Sequence, residues 1–516
     1  MSVNITQFGA IGDGKTINTT MIQNAVDKCA DTGGGDVIVP EGLFMTGTIQ
    51  LKSNVCLYLS RGAVLKGSPD VEDYLPINLI RAERVNNVGI AGPGVINGNG
   101  WSFWERKAGF TNPKYGWYPA KQYIRKHKAP DVESRRPREM IKFIDCTNIR
   151  IEGTTFTDAP YWTFHILGCD EVIINGIRIL NYMIGPNTDG IDMEATQNVI
   201  ISNCYIYTGD DAVTMKNQIV GYSHRPVRNI VVTNCIIKTT CNGFKIGSGS
   251  NGDFENITFS NSVISAGRIG DEWTKDCEKT YGPEHYGNPL APFAGIAFEC
   301  VDGGNIRGIT VTNIVMDDVR TPVFIRLGNR GGMYDKEKIM EPKPGTITDI
   351  QISNIVARNA STASSITAVP GAYIENVLLR DIIIRTRGGG DEELAKKNIP
   401  ERESAYPEAS MFGIIPVSGL FARHVKGLVA DNLKIYLSET DKRPLIHFDD
   451  VLDFSVNNFN TDNLNMGKSI VLMENSAGCI HNASQYIPKN VPWFVIRGDL
   501  RRVQIENKNK NIIRYE

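Results

Sequence analysis

The chain has 516 residues, a formal net charge of −2 and 50 glycines. Because Lys and Arg are not in excess, it lacks the basic footprint of a nucleic-acid-binding protein. No apolar run approaches the roughly 18 residues of a membrane span, so neither nucleic acid nor a membrane is an expected partner. The first residues enter a strand-like stretch without a signal-peptide pattern, which leaves open a cytoplasmic protein or a secreted or periplasmic one with its signal removed.

Residues 1–70 are predicted to form an N-terminal cap together with the first coils of the repeat that follows. A glycine-rich loop leads into an amphipathic helical pattern whose apolar positions are Ile22, Ala25, Val26 and Cys29. Three glycines at 33–35 then end the helix, because glycine accepts the positive φ of a helix C-terminus. Such a helix would cover the open end of a stack of strands, where exposed edges invite aggregation.

A weak repeat begins at about residue 85 and consists of Asn, an aliphatic residue, any residue and another aliphatic residue. Its copies start at Asn148, Glu171, Asn198, Asn229, Asn256, Gly308, Asp349 and Asn376. Period-2 alternation indicates strands, and recurrence at about 20–50 residues indicates a solenoid. Asn at a fixed place in each coil is typical of a stacked amide ladder, since Asn tolerates the left-handed conformation. The fold prediction is an all-β, right-handed parallel β-helix in which residues 71–516 form one continuous domain.

Three insertions interrupt the repeat, at about 101–140, 270–293 and 388–412. The first two are rich in aromatic and charged residues. Long loops on a rigid scaffold commonly hold the binding surface, and aromatic with cationic side chains suits sugar rings that carry carboxylates. The third insertion is predicted to be a solvated loop.

The ten cysteines form neither a CxxC pair nor a His/Cys cluster with zinc spacing, so no metal and no other cofactor is expected. Those within or beside strand patterns are predicted to be buried thiols, the usual state of free cysteine. They are Cys146, Cys169, Cys204 and Cys235.

Three aspartates lie at turn-like positions on either side of one strand-bearing segment. Asp189 stands about one coil before the adjacent pair Asp210 and Asp211. If successive coils stack at the roughly 4.8 Å spacing of strands, the three carboxyl groups meet on one face. Neighbouring acids that cannot all be charged are what acid/base hydrolysis of a glycosidic bond requires.

At these residues the chain resembles the polygalacturonase family of glycoside hydrolases, pectin-degrading inverting enzymes on a right-handed parallel β-helix. The resemblance is carried by Asn187-Thr188-Asp189-Gly190, by Gly209-Asp210-Asp211, and by Lys216 where the family usually has lysine. It implies that Asp210 is the general acid that protonates the leaving oxygen. It also implies that Asp189 and Asp211 activate the attacking water on the opposite face of the sugar.

The chain departs from the family pattern at two places. Asn242 stands where the family has the histidine of Gly-His-Gly, and Ala297 and Glu299 replace the two cations of Arg-Ile-Lys. Because a carboxylate repels an anionic sugar, the leaving-group sugar is expected to be neutral, with rhamnose the candidate within pectin. The resemblance is therefore closer to the rhamnogalacturonan-cleaving or exo-acting members.

Six residues are candidates for substrate binding. They are Lys216, Asn242, Lys245, Glu299, His165 and Arg326. Lys245 with Lys216 is expected to hold a galacturonate carboxylate, while His165 lies one coil before the Asp189 turn, where the family often has a substrate contact.

The predicted function is inverting hydrolysis of α-galacturonosyl linkages in a pectic poly- or oligosaccharide, with exo action suggested by the insertions. Three alternatives stay open: an exo-polygalacturonase on homogalacturonan, a Ca²⁺-dependent pectic lyase that uses the acids as ligands, and a non-catalytic carbohydrate-binding β-helix. A cytoplasmic enzyme would act on imported oligosaccharides. A β-helix of this length is expected to be a stable monomer.

Overall fold

A computed structural model describes residues 2–103, 136–183, 185–218, 221–222, 224–267, 291–331, 343–462, 464–481, 493–498, 503–506 and 513–515. Most of the predicted insertions at 101–140 and 270–293 lies outside the described residues. The described chain divides into two compact units. The first holds residues 1–216, 225–241 and 267–285, and the second holds residues 217–224, 242–266 and 286–516.

The first unit contains the predicted capping helix, α1 (Thr19–Asp31), in which Ile22, Ala25, Val26 and Cys29 are buried. Three short 3₁₀ turns lie at Ile5–Phe8, Val71–Asp73 and Gly100–Phe103. The strands are β1 (Ser2–Asn4), β2 (Asp13–Ile17), β3 (Gly35–Val39), β4 (Gly42–Thr46), β5 (Ile49–Gln50), β6 (Val55–Leu59), β7 (Ala63–Gly67), β8 (Ile80–Glu83), β9 (Asn86–Ala91), β10 (Val95–Asn97), β11 (Ile141–Ile144), β12 (Thr147–Glu152), β13 (Thr155–Thr157), β14 (Phe164–Leu167), β15 (Asp170–Asn175), β16 (Arg178–Leu180), β17 (Ile191–Glu194), β18 (Gln197–Ser202), β19 (Tyr205–Thr208), β20 (Val213–Asn217), β21 (Val227–Thr233) and β22 (Ile236–Thr239).

Strands of successive coils pair in parallel and in register. The repeat positions Ile149, Val172, Val199 and Ile230 face one another on β12, β15, β18 and β21, and each is buried. Burying one such side chain stabilises the fold by about 1.5–3 kcal/mol, so each added coil contributes favourable packing along the column. The predicted solenoid repeat is therefore present in this unit.

The predicted asparagine ladder is also present. Asn198 and Asn229 have φ of 53° and 58°, and the Asn229 side chain donates to Asn198 Oδ1 at 2.8 Å. In the second unit, Asn313 donates to Asn261 Oδ1 at 3.0 Å. Because asparagine both accepts the left-handed conformation and bonds to its neighbour above, the same residue type recurs at the turn of successive coils.

The second unit has the same construction with longer strands, and its described residues include one short helix, α2 (Glu392–Ala395). Its strands are β23 (Asn242–Ser250), β24 (Phe254–Ser265), β25 (Ala294–Cys300), β26 (Asn305–Asp317), β27 (Thr321–Leu327), β28 (Thr346–Ala360), β29 (Ser364–Thr367), β30 (Ile374–Thr386), β31 (Leu420–Leu437), β32 (Ile446–Asn457), β33 (Asn460–Thr461), β34 (Val471–Glu474), β35 (Ala477–His481), β36 (Phe494–Arg497), β37 (Val503–Glu506) and β38 (Ile513–Tyr515). A buried column again runs through it, formed by Ile257, Ile309, Ile350, Val377 and Leu428.

Much of the insertion at 388–412 is exposed, as its composition predicts, but some of its apolar side chains are buried. Ile399, Met411 and Phe412 are buried in an apolar cluster with Ala297 and Phe324 of the sheet. A few apolar side chains, widely spaced in a polar stretch, hold this segment against the sheet, because each one packs against apolar side chains of the sheet face. These three side chains therefore belong to the second unit's core, while much of the segment around them is exposed.

The described cysteines are free thiols, and the four predicted as buried are buried. Cys146 and Cys169 precede the paired residues Thr147 and Asp170 of adjacent coils, so they occupy equivalent places in the repeat. Neither described helix is long and apolar enough to cross a membrane.

Candidate active site

Asp189 lies in the turn before β17, and both neighbouring coils fix this turn. Asn187 has φ of 54°, a conformation that asparagine tolerates. The amide and the hydroxyl of Thr163 in the preceding coil both donate to the Asp189 carbonyl oxygen at 2.9 Å. In the following coil, the Asp211 carbonyl oxygen accepts from the Gly190 amide at 2.9 Å. The backbone of Asp189 is thus held by hydrogen bonds on two sides.

Asp210 and Asp211 lie in the next turn, between β19 and β20. The Asp211 amide donates to Asp210 Oδ1 at 3.0 Å. The hydroxyl groups of Thr208 and Thr239 donate to the Asp210 carbonyl oxygen at 2.6 and 2.5 Å. Asp189, Asp210 and Asp211 are only 3, 9 and 5 % exposed. Both aspartates of this turn act electrostatically on Asp189, so the structure brings the three predicted carboxyl groups together.

The glycines beside these aspartates are required by close packing. A Cβ on Gly190 would lie 2.3 Å from the Ala212 carbonyl oxygen, and a Cβ on Gly209 would lie 2.6 Å from two backbone carbonyl oxygens. Real Cβ atoms do not approach carbonyl oxygens so closely. Only glycine therefore lets the two turns stack in successive coils and bring their carboxyl groups together.

Burial and the neighbouring Asp210 and Asp192 raise the pKa of Asp189 well above its ordinary value. Burial likewise raises the pKa of Asp192 to about 6, although the Lys216 ammonium opposes it. Burial would lower the pKa of Lys216, but the carboxylates of Asp192, Asp189 and Asp211 raise it above its ordinary value. The site therefore retains a proton on its carboxyl groups in a range where an exposed aspartate is fully ionised.

Lys216 is the cation that holds this acidic group together. Its Nζ hydrogen-bonds to Asp192 Oδ1 and lies 3.7 Å from Asp189 Oδ2. It also lies 3.7 Å from the centroid of the Trp162 ring, a cation–π distance. Its contacts are thus with the acids themselves, and its predicted role toward a substrate carboxylate stays a prediction.

His165 belongs to a separate buried network on the same face. Its Nε2 lies 3.2 Å from Glu194 Oε2, its Nδ1 lies 3.5 Å from Glu139 Oε1, and its ring meets Trp162 edge-on. Burial would lower the pKa of His165, but the two glutamates raise it, so the imidazolium form is favoured. His165 therefore links Glu139, Glu194 and Trp162, and contact with a substrate stays a prediction.

Arg136 fixes the segment that precedes the Asp189 turn. Its Nη1 donates to the carbonyl oxygens of Pro160 and Pro186 at 2.9 and 2.6 Å, and its Nη2 donates to Asn187 Oδ1 at 2.8 Å. Its guanidinium lies 4.5 Å from the centre of the Tyr161 ring. Burial lowers its pKa to about 10, so the group stays charged at neutral pH.

Among the residues that the structure describes, one group of acidic or sulfur side chains could hold a metal ion. Ligand atoms of Asp210, Asp211 and Cys241 lie within 4.8 Å of one another. The two carboxyl groups are also those expected to transfer protons, and a thiolate is a poor partner for the hard cations that oxygen ligands select. The absence of a metal requirement stays a prediction.

In the second unit, Asn242 and Lys245 lie on β23 and Glu299 lies on β25, all of them buried. Lys245 Nζ is 3.3 Å from Glu299 Oε2, and their side chains are 2 and 0 % exposed. The Lys245 charge, predicted to bind a substrate carboxylate, is thus balanced by a carboxylate of the protein. Removing either partner would leave an uncompensated buried charge.

Arg326 is buried beneath the 388–412 segment. Its Nη1 donates to the Ala368 carbonyl oxygen at 2.9 Å, and its Nη2 donates to the Glu401 carbonyl oxygen at 2.7 Å. Burial lowers its pKa to about 10. The guanidinium therefore anchors the inserted segment to the sheet, and a substrate contact by Arg326 stays a prediction.

The chain matches the family model described as Glycosyl hydrolases family 28 over residues 29–270. It is 26 % identical over 413 residues to a probable polygalacturonase of Vitis vinifera, covering 74 % of each chain. It is 28 % identical over 312 residues to an exo-poly-alpha-D-galacturonosidase of Dickeya chrysanthemi, covering 52 % of this chain and 51 % of that one. The chain is a glycoside hydrolase, and these matches support family 28.

Solved structures with similar folds support the predicted architecture. The exopolygalacturonase of Thermotoga maritima superposes with a TM-score of 0.59 at 25 % identity, covering 75 % of this chain and 87 % of that chain. The tailspike protein of E. coli bacteriophage HK620 gives a TM-score of 0.61 at 13 % identity, covering 100 % of this chain and 80 % of that one, and shows the fold alone. The prediction of a right-handed parallel β-helix is confirmed.

Three residues near the candidate aspartates were not among the candidates from sequence. Asp192 follows Asp189 by three residues on β17 and hydrogen-bonds to Lys216, and the motif Thr-Asp-Gly-Ile-Asp is the signal that could have identified it. Arg136 is one of several cations in a predicted insertion, and nothing local distinguishes it. Cys241 directly precedes Asn242, the position where the family histidine is replaced, and its approach to Asp210 depends on coil stacking.

Proposed function

We propose that the enzyme is an inverting hydrolase of α-galacturonosyl linkages in pectic chains. The observation that carries the proposal is the meeting of Asp189, Asp210 and Asp211 in two stacked turns, where burial and the repulsion among the carboxyl groups keep a proton within the cluster. Glycoside hydrolysis needs one carboxyl group that keeps its proton and one that is ionised at the same pH. A cluster whose members cannot all ionise meets this need.

In the proposed reaction, the bond between the anomeric carbon and the departing oxygen breaks as Asp210 gives its proton to that oxygen. Asp189 and Asp211 take a proton from the water that attacks the opposite face of the sugar. One proton leaves the cluster and one enters it, so the cluster holds the same number of protons afterwards. Lys216 limits the repulsion among the acids and keeps the remaining carboxylates ionised.

The proposed leaving-group sugar is neutral, with rhamnose of rhamnogalacturonan as the candidate. Ala297 lies in the apolar cluster of the second unit, and Glu299 is paired with Lys245. At the two positions where the resemblance expects cations, the side chains are thus a methyl group and a carboxylate. Neither side chain attracts an anionic sugar, and the nearby Lys245 ammonium is already balanced by Glu299.

Exo action on homogalacturonan is the second candidate function. Several relatives with which the chain aligns are named for exo activity, including those of Dickeya chrysanthemi and Thermotoga maritima. The segment 388–412 lies across the sheet face of the second unit, and an obstruction of this kind on a binding groove favours action at chain ends.

The test is to treat rhamnogalacturonan oligosaccharides and homogalacturonan separately with the enzyme, with and without EDTA. The products are then identified by mass spectrometry. Saturated products from rhamnogalacturonan alone, unaffected by EDTA, would support the leading proposal, and single galacturonate units released from homogalacturonan would support the second candidate. Unsaturated, EDTA-sensitive products would show a lyase instead. Asp210→Asn is the control: if the unaltered enzyme and Asp210→Asn are equally inactive but both bind the oligosaccharides, the protein is a binding module.

A further inference from the structure

The second unit contains a cavity of about 610 Å³ on the face formed by the first residues of its last strands. This volume falls within the roughly 300–1,000 Å³ typical of sites for small ligands. Its floor consists of two columns of paired residues. One column is His447, Leu472 and Val495, and the other is Arg423, Asp449, Glu474 and Arg497.

The cavity lies on the same sheet face as Ala297 but well away from it. Strand pairing continues the column of Ala297 through Phe324, Ser365 and Phe421 to His447. Four steps of the strand spacing separate Ala297 from His447 by roughly 19 Å. Ile399 packs in the cluster that covers Ala297, and it also lines the cavity, so the inserted segment forms a wall between the two places.

The charged side chains of the floor are already paired with one another. Arg423 Nε donates to Asp449 Oδ2 at 2.8 Å, and Arg497 Nη1 donates to Glu474 Oε1 at 3.0 Å. His447 Nε2 lies 2.7 Å from Glu474 Oε2, and this contact and the Arg497 guanidinium lower the pKa of Glu474 to about 2. The floor therefore presents fixed carboxylates that can accept hydrogen bonds from hydroxyl groups without adding net charge.

The walls, in contrast, carry cations without carboxylate partners. Lys397 on the inserted segment donates to the Ile414 carbonyl oxygen at 3.1 Å, and Lys468 stands in the turn before β34. Among the described residues, neither has a carboxylate partner, whereas Lys442 pairs with Glu392 at 3.4 Å. Two uncompensated ammonium groups on separate chain segments attract a ligand that carries negative charge along its length.

Apolar surface and an unused imidazole nitrogen complete the cavity. Met466, at 61 % exposure, lines it together with Leu472 and Val495. Such side chains suit the C–H faces of sugar rings. His447 is 7 % exposed, and its Nδ1 has no hydrogen-bond partner among the described residues.

We propose that this cavity is a second, non-catalytic site that binds a carboxylated oligosaccharide, such as a short chain of uronate sugars. The ammonium groups of Lys397 and Lys468 meet the carboxylates, while Asp449 and Glu474 accept from hydroxyl groups. A compact anion such as phosphate fits less well, because it has no hydroxyl-rich body to donate hydrogen bonds to the two floor carboxylates. The site would hold a pectic chain through contacts other than those of the three aspartates.

The experiment measures binding by isothermal titration calorimetry in an Asp210→Asn background, so that the oligosaccharide is not cut. The probes are tetragalacturonate, neutral maltotetraose and inorganic phosphate. The test variant adds Lys397→Gln with Lys468→Gln, and the matched control adds Lys426→Gln, an exposed lysine of β31 outside the cavity. Each of the three Lys→Gln substitutions removes the charge and keeps an unbranched polar side chain, and urea unfolding verifies that each variant is folded.

The expected result is that the test variant binds one equivalent of tetragalacturonate fewer, or binds it at least tenfold more weakly, while the Lys426→Gln control is unchanged. Unchanged binding in the test variant would overturn the proposal, as would equally tight binding of maltotetraose or phosphate to the parent. A further readout needs no cavity variant: raising NaCl from about 0.05 to about 0.5 M should weaken tetragalacturonate binding several-fold, and insensitivity to salt would count against the site. The proposed function is tested separately by product analysis: if it is wrong, the unaltered enzyme leaves the pectic substrates uncut.

Discussion

Lys216→Met is expected to destabilise the enzyme at neutral pH far more than at acidic pH. The ammonium hydrogen-bonds to Asp192 and lies 3.7 Å from Asp189, and both carboxyl groups are nearly inaccessible to solvent. Removing one partner of a buried ion pair costs about 3–5 kcal/mol, because the charge left behind has neither solvent nor a counterion. We therefore expect a loss of about 3–5 kcal/mol in the free energy of unfolding at pH 7.

The pH dependence separates this explanation from a simple loss of packing. The folded-state pKa of Asp192 is about 6, above its ordinary value, so this group binds more protons folded than unfolded and makes stability fall as pH rises from about 4 to 6. Without Lys216 the pKa values of Asp192 and Asp189 rise further. The decrease in the free energy of unfolding with rising pH therefore extends to higher pH. At pH 4 both carboxyl groups are protonated in the folded variant, and the cost of the substitution shrinks.

Urea unfolding followed by tryptophan fluorescence, at pH 4, 5.5 and 7, measures the effect. Adding Asp192→Asn to Lys216→Met should recover a large part of the stability lost at pH 7, because it removes one of the two stranded charges. An equal loss at all three pH values, or no recovery in the double variant, would refute the electrostatic reasoning and leave only the packing of Lys216 against Trp162.

Three further predictions concern positioning and packing. Arg136→Lys should lower kcat by about 10²-fold with little change in KM, because a lysine cannot hold two carbonyl oxygens and Asn187 together and the Asp189 turn shifts; initial rates over a range of substrate concentrations test this. Gly209→Ala should destabilise the fold by about 1–3 kcal/mol in urea unfolding, because the new Cβ would lie 2.6 Å from two carbonyl oxygens. Glu299→Leu alone should cost about 3–5 kcal/mol, and adding Lys245→Met should return most of it, since the apolar pair leaves no buried charge.

The features predicted from sequence are those that repeat once per coil. Asn198 and Asn229 were predicted to stack because each begins the same short pattern, and a period fixes which residues become neighbours. Asp189 was predicted to meet Asp210 and Asp211 for the same reason, since one coil separates them. In a solenoid the distance along the chain determines the neighbour in space, so spacing alone carries tertiary information.

The features that sequence did not predict depend on contacts without a period. Ile399, Met411 and Phe412 lie in a polar stretch with no alternation, and they are buried only because the sheet face beneath them is apolar. Arg136 donates a hydrogen bond to Asn187, but it lies in an insertion that does not carry the coil repeat. Local propensity and periodicity do not report such contacts, and tertiary packing overrides them.

The acidic cluster lowers the stability of the fold that carries it. The raised pKa values of Asp189 and Asp192 mean that ionising either one is harder in the folded chain than in the unfolded chain, so both destabilise the protein at neutral pH. The aliphatic columns offset this cost, because every coil adds buried side chains worth about 1.5–3 kcal/mol each. A parallel β-helix can therefore keep three acids close together in stacked turns, since the coils above and below supply stability that does not depend on the turns themselves.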